Sequence, residues 1–178
     1  MPTPPPTVTK LLVIGYGNTV RQDDQAGPLV AERIDALALP GVIALACPQL
    51  SPEHAEAVAQ ALAVVFVDAQ AGSSREICLQ RVLPGDSSHV TTHAAEPRTV
   101  LALARDVYGH VPPTWLLTIP AELFGFGTDL SPLTEHAVEV AVARLLEMAR
   151  ATWGQSSHGN IILDPVKIPG RICAWRDH

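Results

Sequence analysis

Residues 10–37 read KLLVIGYGNTVRQDDQAGPLVAERIDAL, and a change of period inside that stretch decides the fold class. The opening, residues 10–15, is a short apolar run ending in glycine, the pattern of a strand buried on both faces. From residue 24 onward the apolar positions Ala26, Leu29, Val30, Ile34 and Leu37 recur at helical spacing. Pro28 stands near the start of that helix, where a missing N–H does least harm. A buried strand that runs into an amphipathic helix is the first half of a strand–helix–strand unit.

The same alternation continues along the chain. Residues 41–47 (GVIALAC) form a second strand candidate, and Ser51-Pro52-Glu53 reads as a cap with proline at the first position of a helix to about residue 62. Residues 63–69 (AVVFVDA) are the strongest strand in the chain, apolar and β-branched until Asp68 ends it. Residues 76–82 (EICLQRV) alternate polar and apolar side chains, as a strand nearer the sheet edge does. A helix is expected over 97–108, broken by Gly109 and the following prolines, then a last strand over 115–119. Ser131-Pro132 opens a final helix to about residue 152. Strands separated by helices of this length predict right-handed crossovers and a parallel sheet covered on both sides. The fold class expected is α/β: a three-layer αβα sandwich with a twisted, mostly parallel sheet of about five strands. Residues 1–9 are a proline-rich extension, 10–152 the α/β domain, and 153–178 an irregular tail without helical periodicity.

A chain of 178 residues with 47% apolar composition suits one domain with a proper core. Aromatics are only 4%, so Ala, Val and Leu must supply most of the packing. The formal charge is -6 and the basic residues are scattered, which argues against a nucleic-acid or membrane surface. No apolar run approaches the length of a membrane span, and the N-terminus lacks a basic-then-apolar signal pattern. Cys47, Cys78 and Cys173 form no CxxC pair, which reads as incidental thiols in a reducing cytosol. The expected location is cytoplasmic.

In open α/β sheets, ligands gather at the carboxyl ends of the strands. The first strand runs there into Gly15-Tyr16-Gly17-Asn18 and then Arg21-Gln22-Asp23-Asp24, and the third ends in Asp68. Residues 87–93 (SSHVTTH) lie between the fourth strand and the next helix and supply His89 and His93. Two carboxylates and one imidazole with open positions suit a borderline divalent metal. Each has a plainer reading. Asp24 serves equally well as a helix cap, and a histidine in a polar loop is more often a surface residue. Asp68 is harder to set aside, since a carboxylate ending an apolar strand is costly to bury unpaired. The Gly15-x-Gly17 pair lacks the third glycine of a dinucleotide fingerprint, Val20 standing in its place. No GxSxG, HExxH or local Cys–His signature is present, so no classical nucleophile is nominated.

Four segments, taken in order, resemble the motifs of the hydrogenase maturation proteases. They are LLVIGYGNTVRQDDQAGPLVAERI (11–34), VVFVDA (64–69), THAAEPRTVLALARDVYG (92–109) and LFGFGTDLSPLTEHAVEVAVARL (123–145), and the likeness spans about residues 10–150. Two departures stand out: Gln25 where many members have glycine, and PQLSPEHAEAVAQ (48–60) in place of a glycine-rich turn. The second is similar to proteases serving soluble, NAD-linked hydrogenases. The resemblance implies an endopeptidase that trims the C-terminus of a hydrogenase large-subunit precursor and uses nickel already in that precursor as its recognition element. It implies Asp24 and Asp68 as the catalytic acids and Asp24, Asp68 and His93 as nickel contacts, with Asn18, Asp23 and His89 at the substrate. His89 competes with His93 for the imidazole role, and Asp23 is in position to support the loop. Two rivals remain: a nickel-dependent chaperone that docks on the same precursor without cutting it, and a related peptidase with another substrate.

Overall fold

The apolar run that opens the domain forms β1 (Leu11–Tyr16), buried until Tyr16. In the computed structural model the described residues are 9–72, 74–86 and 96–153. After β1 come α1 (Ala26–Ala36), β2 (Val42–Cys47), α2 (His54–Gln60), β3 (Val64–Ala71) and β4 (Cys78–Arg81). Then follow α3 (Pro97–Tyr108), β5 (Thr114–Ala121) and α4 (Pro132–Trp153). The strands order as β2-β1-β3-β5-β4 in one five-stranded sheet. Every pairing is parallel except β4 with β5, so the edge position read from the alternating pattern of β4 is borne out. Among the described residues no helix is long and apolar enough to cross a membrane.

The layers follow from which strand residues face which helices. Val13, Val65, Val67, Trp115 and Leu117 point to one side and pack with Val30 and Ile34 of α1 and Val138 and Leu145 of α4. Leu12, Ile14, Val64 and Phe66 point to the other and pack with Val58 of α2 and Leu101 of α3. Period-2 alternation inside an all-apolar strand thus feeds two separate cores, one per face. The expected three-layer sandwich is what forms.

The differences from the sequence reading lie at element ends. Residues 22–25 do not begin α1; they make a separate 3-10 turn, and Gln25 takes the cap position without a side-chain bond. Asp24 therefore caps nothing. The helix expected from Ser51 starts at His54 instead, because the Ser51 hydroxyl turns to the Glu53 carboxylate and its N–H donates to Nδ1 of His54. β3 does not stop at Asp68 but continues to Ala71, held by β5 alone. Cys47 is a free thiol, as expected, whereas Cys78 is disulfide-bonded, against the expectation of incidental thiols. Most of the tail read as irregular, residues 154–178, lies outside the described residues, as do residues 1–8 and 87–95.

Two glycines set how closely β1 and the residues after it approach α1 and the turn before it. A Cβ on Gly15 would collide with the Gly27 carbonyl, and one on Gly17, at φ 146°, with the carbonyl of Asp24. Gly15 thus serves helix–strand contact, and Gly17 lets the chain pass close to the turn of residues 22–25.

Candidate functional site

Asp68 owes its position to unequal strand lengths. The β1–β3 register ends at Gly15 opposite Val67, while β3 and β5 continue through Asp68 opposite Thr118 to Ala71 opposite Ala121. At Asp68 the sheet has lost one neighbour, and its carboxylate emerges beside Tyr16 at the carboxyl end of β1. Asp68 is half-buried, and burial pushes its pKa up to about 6, with the charge on Asp24 adding to the rise. Hydrogen bonds from the Tyr16 hydroxyl and the Ala69 N–H oppose that rise without cancelling it. The Tyr16 hydroxyl is itself pushed far above its ordinary range by burial and by the neighbouring Asp68. It stays protonated and remains a donor.

Asp24 reaches the same place from the 3-10 turn. Its carboxylate accepts the Asn18 N–H at 3.0 Å, and the Asn18 side chain accepts the Val20 N–H at 3.0 Å. Asn18 is exposed and shapes the turn on which Asp24 sits. Between them Gln22 takes a positive φ of 43°, a left-handed conformation that costs free energy in a residue with a Cβ. Its amide oxygen accepts the Gly125 N–H at 3.0 Å, and its own N–H donates to the Gly127 carbonyl at 2.9 Å. The strained residue is over-determined by the second loop.

Asp23 has the opposite orientation. It has no exposed surface, and its carboxylate accepts the backbone N–H groups of Glu122, Leu123 and Ser131 at 2.8, 2.8 and 2.7 Å. The Ser131 hydroxyl adds a fourth bond at 2.8 Å. Burial raises the pKa of such a group, but the bonds from Ser131, Leu123 and Glu122 outweigh it and hold Asp23 below the usual carboxylate range. A carboxylate so fully occupied does not touch a substrate, so the substrate-contact role gives way to the supporting one. It ties the loop of residues 122–131 to the turn that carries Asp24.

A cleft of about 720 Å³ opens over Tyr16 and Asp68, bordered by Gln80, Arg81, Leu83 and Glu96. His89 and His93 both lie outside the described residues, while Leu83 and Glu96 on either side of that segment line the cleft. Among the described residues no group of three His, Cys, Asp or Glu side chains is placed to hold a metal ion. Cys47, opposite Tyr16 in the register, has its thiol pushed up by burial, which disfavours the nucleophilic thiolate. Tyr16 and Ser131 carry the site's hydrogen bonding and were missed by sequence reasoning. Tyr16 had one available signal, a polar aromatic tip at the carboxyl end of a buried strand.

No family model and no curated protein matches this chain. Solved structures do. The NiFe hydrogenase maturation protease HycI from Thermococcus kodakarensis KOD1 is 28% identical, with a TM-score of 0.65 over 80% of this chain and 93% of that one. The hydrogenase maturating endopeptidase HybD from E. coli is 20% identical, with a TM-score of 0.63 over 79% and 92%. A hydrogenase 2 maturation peptidase from Thaumarchaeota archaeon SCGC_AB-539-E09 is 22% identical, with a TM-score of 0.59 over 78% and 97%. The class that the fold defines is therefore the α/β fold shared with the hydrogenase maturation proteases. The family resemblance drawn from four ordered motifs is borne out.

Proposed function

We propose that this chain is an endopeptidase that removes the C-terminal extension of a hydrogenase large-subunit precursor already loaded with nickel. The observation that carries the reading is the Asp24–Asp68 pair. Asp68 on β3 and Asp24 on the turn after β1 both lie at the carboxyl end of the sheet, and the charge on Asp24 helps raise Asp68 to a pKa of about 6. Uncompensated like charge of this kind favours a cationic partner, and two carboxylate oxygens with one imidazole are a donor set that suits nickel. Asp24, Asp68 and His93 would hold that ion as part of the substrate. The nickel would supply Lewis-acid polarisation of the scissile carbonyl.

The chain's own residues do the rest. Asp68, with a proton affinity close to neutral pH, is suited to take a proton from water. Tyr16, locked in its protonated form, aims the Asp68 carboxylate through its hydroxyl. Asn18 fixes the orientation of Asp24 through its N–H. The aromatic side chain of Phe126 is 90% exposed, on a loop bonded backbone to backbone with the turn that carries Asp24. That is a natural anchor for a polypeptide substrate.

The test is a cleavage assay on nickel-loaded and nickel-free precursor, read by gel shift. Shortening of the loaded form alone supports both the activity and the metal dependence. Binding without shortening gives a chaperone instead, and normal cleavage by Asp68→Asn removes the central assignment.

A further inference from the structure

Among the described residues the large apolar side chain most open to water is Phe126, 90% exposed between Gly125 and Gly127 on the loop from β5 to α4. An aromatic ring left in water is unfavourable, and a loose loop would lay it back on the surface. This loop is held instead to the turn of residues 18–25. The Gly127 N–H donates to the Val20 carbonyl at 3.0 Å, and the Asp23 N–H to the Leu123 carbonyl at 3.0 Å. The Gln25 side-chain amide donates to the Thr128 carbonyl at 2.7 Å. Together with the bonds to the Gln22 and Asp23 side chains, these make the turn and the loop one platform. Val20 and Leu123 stand on it 54% and 43% exposed. A braced surface that keeps apolar side chains in water is preorganised for a partner.

Shape and charge select the occupant. A ring this exposed is a projection, and its complement is an apolar pocket, which a folded surface offers and an extended peptide does not. The Arg21 guanidinium lies 6.0 Å from the centre of that ring and makes no ion pair among the described residues. An unpaired cation on a chain of net charge -6 calls for a carboxylate beside the partner's pocket.

The turn and the loop lead into α1 and α4, which pack on one face of the sheet. The acidic cleft is lined by Leu116 and the first residues of α3, on the other face. Asp24 belongs to the turn and Asp68 to the cleft, so the two acids mark the boundary between these surfaces. We infer that Val20, Arg21, Leu123 and Phe126 form a docking platform for the folded body of the precursor, with Phe126 entering an apolar pocket bordered by a carboxylate. The inference rests on the proposed function, whose substrate it shares. The cleft then takes the extended chain around the scissile bond. Contacts so far from the reacting bond are equal in the ground and transition states, so losing them raises KM and leaves kcat.

The experiment replaces Phe126 by the photoreactive p-benzoyl-phenylalanine, irradiates the variant with nickel-loaded large-subunit precursor, and maps the adduct by mass spectrometry. The expected adduct lies in the folded body, upstream of the scissile bond. In steady-state cleavage, Phe126→Ala should raise KM about 10–100-fold with kcat within about twofold of wild type and an unchanged circular dichroism spectrum. Arg21→Gln should slow association with the precursor several-fold, and association at the wild-type rate overturns the carboxylate at the pocket's border. An adduct in the C-terminal extension or in a second copy of this chain, or no adduct, overturns the platform. So does an unchanged KM in Phe126→Ala, and there the wild type still cleaves and the endopeptidase reading survives. An adduct in the folded body without cleavage by the wild type separates the two the other way: the platform holds and the endopeptidase reading falls.

Discussion

Asp23 and Asp68 are both acids removed from water at the same end of the sheet, and their proton affinities move in opposite directions. Asp23 is wholly buried yet held below the ordinary carboxylate range, because four donors converge on it. Asp68 is less buried yet pushed up to about 6, because only Tyr16 and one backbone N–H face it while Asp24 repels it. Burial therefore does not mark an acid as functional. What marks it is burial without matching donors, since that leaves the charge available to a proton, a cation or a substrate.

The largest expected effect tests the Asp68 side of that contrast. Asp68→Asn should lower precursor cleavage by about 10²–10⁴-fold, the range for losing a general base, while circular dichroism stays unchanged. The same variant should be more stable than wild type above neutral pH by about 2–3 kcal/mol, since a raised pKa is a cost of ionising the folded state. If denaturant unfolding at pH 8 shows a loss instead, Asp68 is a structural acid like Asp23. Asp23→Ala should do the reverse. It leaves three backbone N–H groups and a hydroxyl without their acceptor, and about 3–5 kcal/mol of stability should disappear. A loss below about 1 kcal/mol would mean water replaces the carboxylate with little cost.

The two acids also act at opposite ends of the pH scale. The folded pKa of Asp68 is raised, so its contribution is fully present below 3.8 and is lost as pH rises through about 6. The folded pKa of Asp23 is depressed, so its contribution is present above 3.8 and is lost as pH falls through the folded value. Unfolding free energies measured from pH 2 to 8 should lose their acid limb in Asp23→Ala and their fall between pH 3.8 and about 6 in Asp68→Asn. Identical curves for both variants would erase the contrast. The smallest effect should come from Tyr16→Phe. Removing a bond that lowers the pKa of Asp68 should move the rising limb of the cleavage profile to higher pH, with a few-fold loss of rate at neutrality. An unmoved limb would show that Tyr16 does not hold the carboxylate.

Much of this was legible in advance because it depends on local pattern. The burial of β1 and β3, the bounds of α3 and the edge position of β4 follow from period and punctuation. Asp68 was legible too, as a charge set against an apolar run. Element starts were less so, because side chains such as Ser51 had closer partners than the helix ends they were expected to cap. The separate roles of Asp23 and Asp24 were hidden, since neighbouring acids in a polar loop look alike in sequence.

The amino-acid sequence by itself determined the α/β class, the strand order's raw material and the acid that closes the apolar run of β3. Those depend on interactions between residues a few positions apart. Only the tertiary structure decided that Asp23 turns inward to residues 122–131, that Tyr16 meets Asp68, and that β3 outlasts β1. Each of these sets a pKa through groups distant in sequence, and hydrogen bonding and desolvation depend on distance in space.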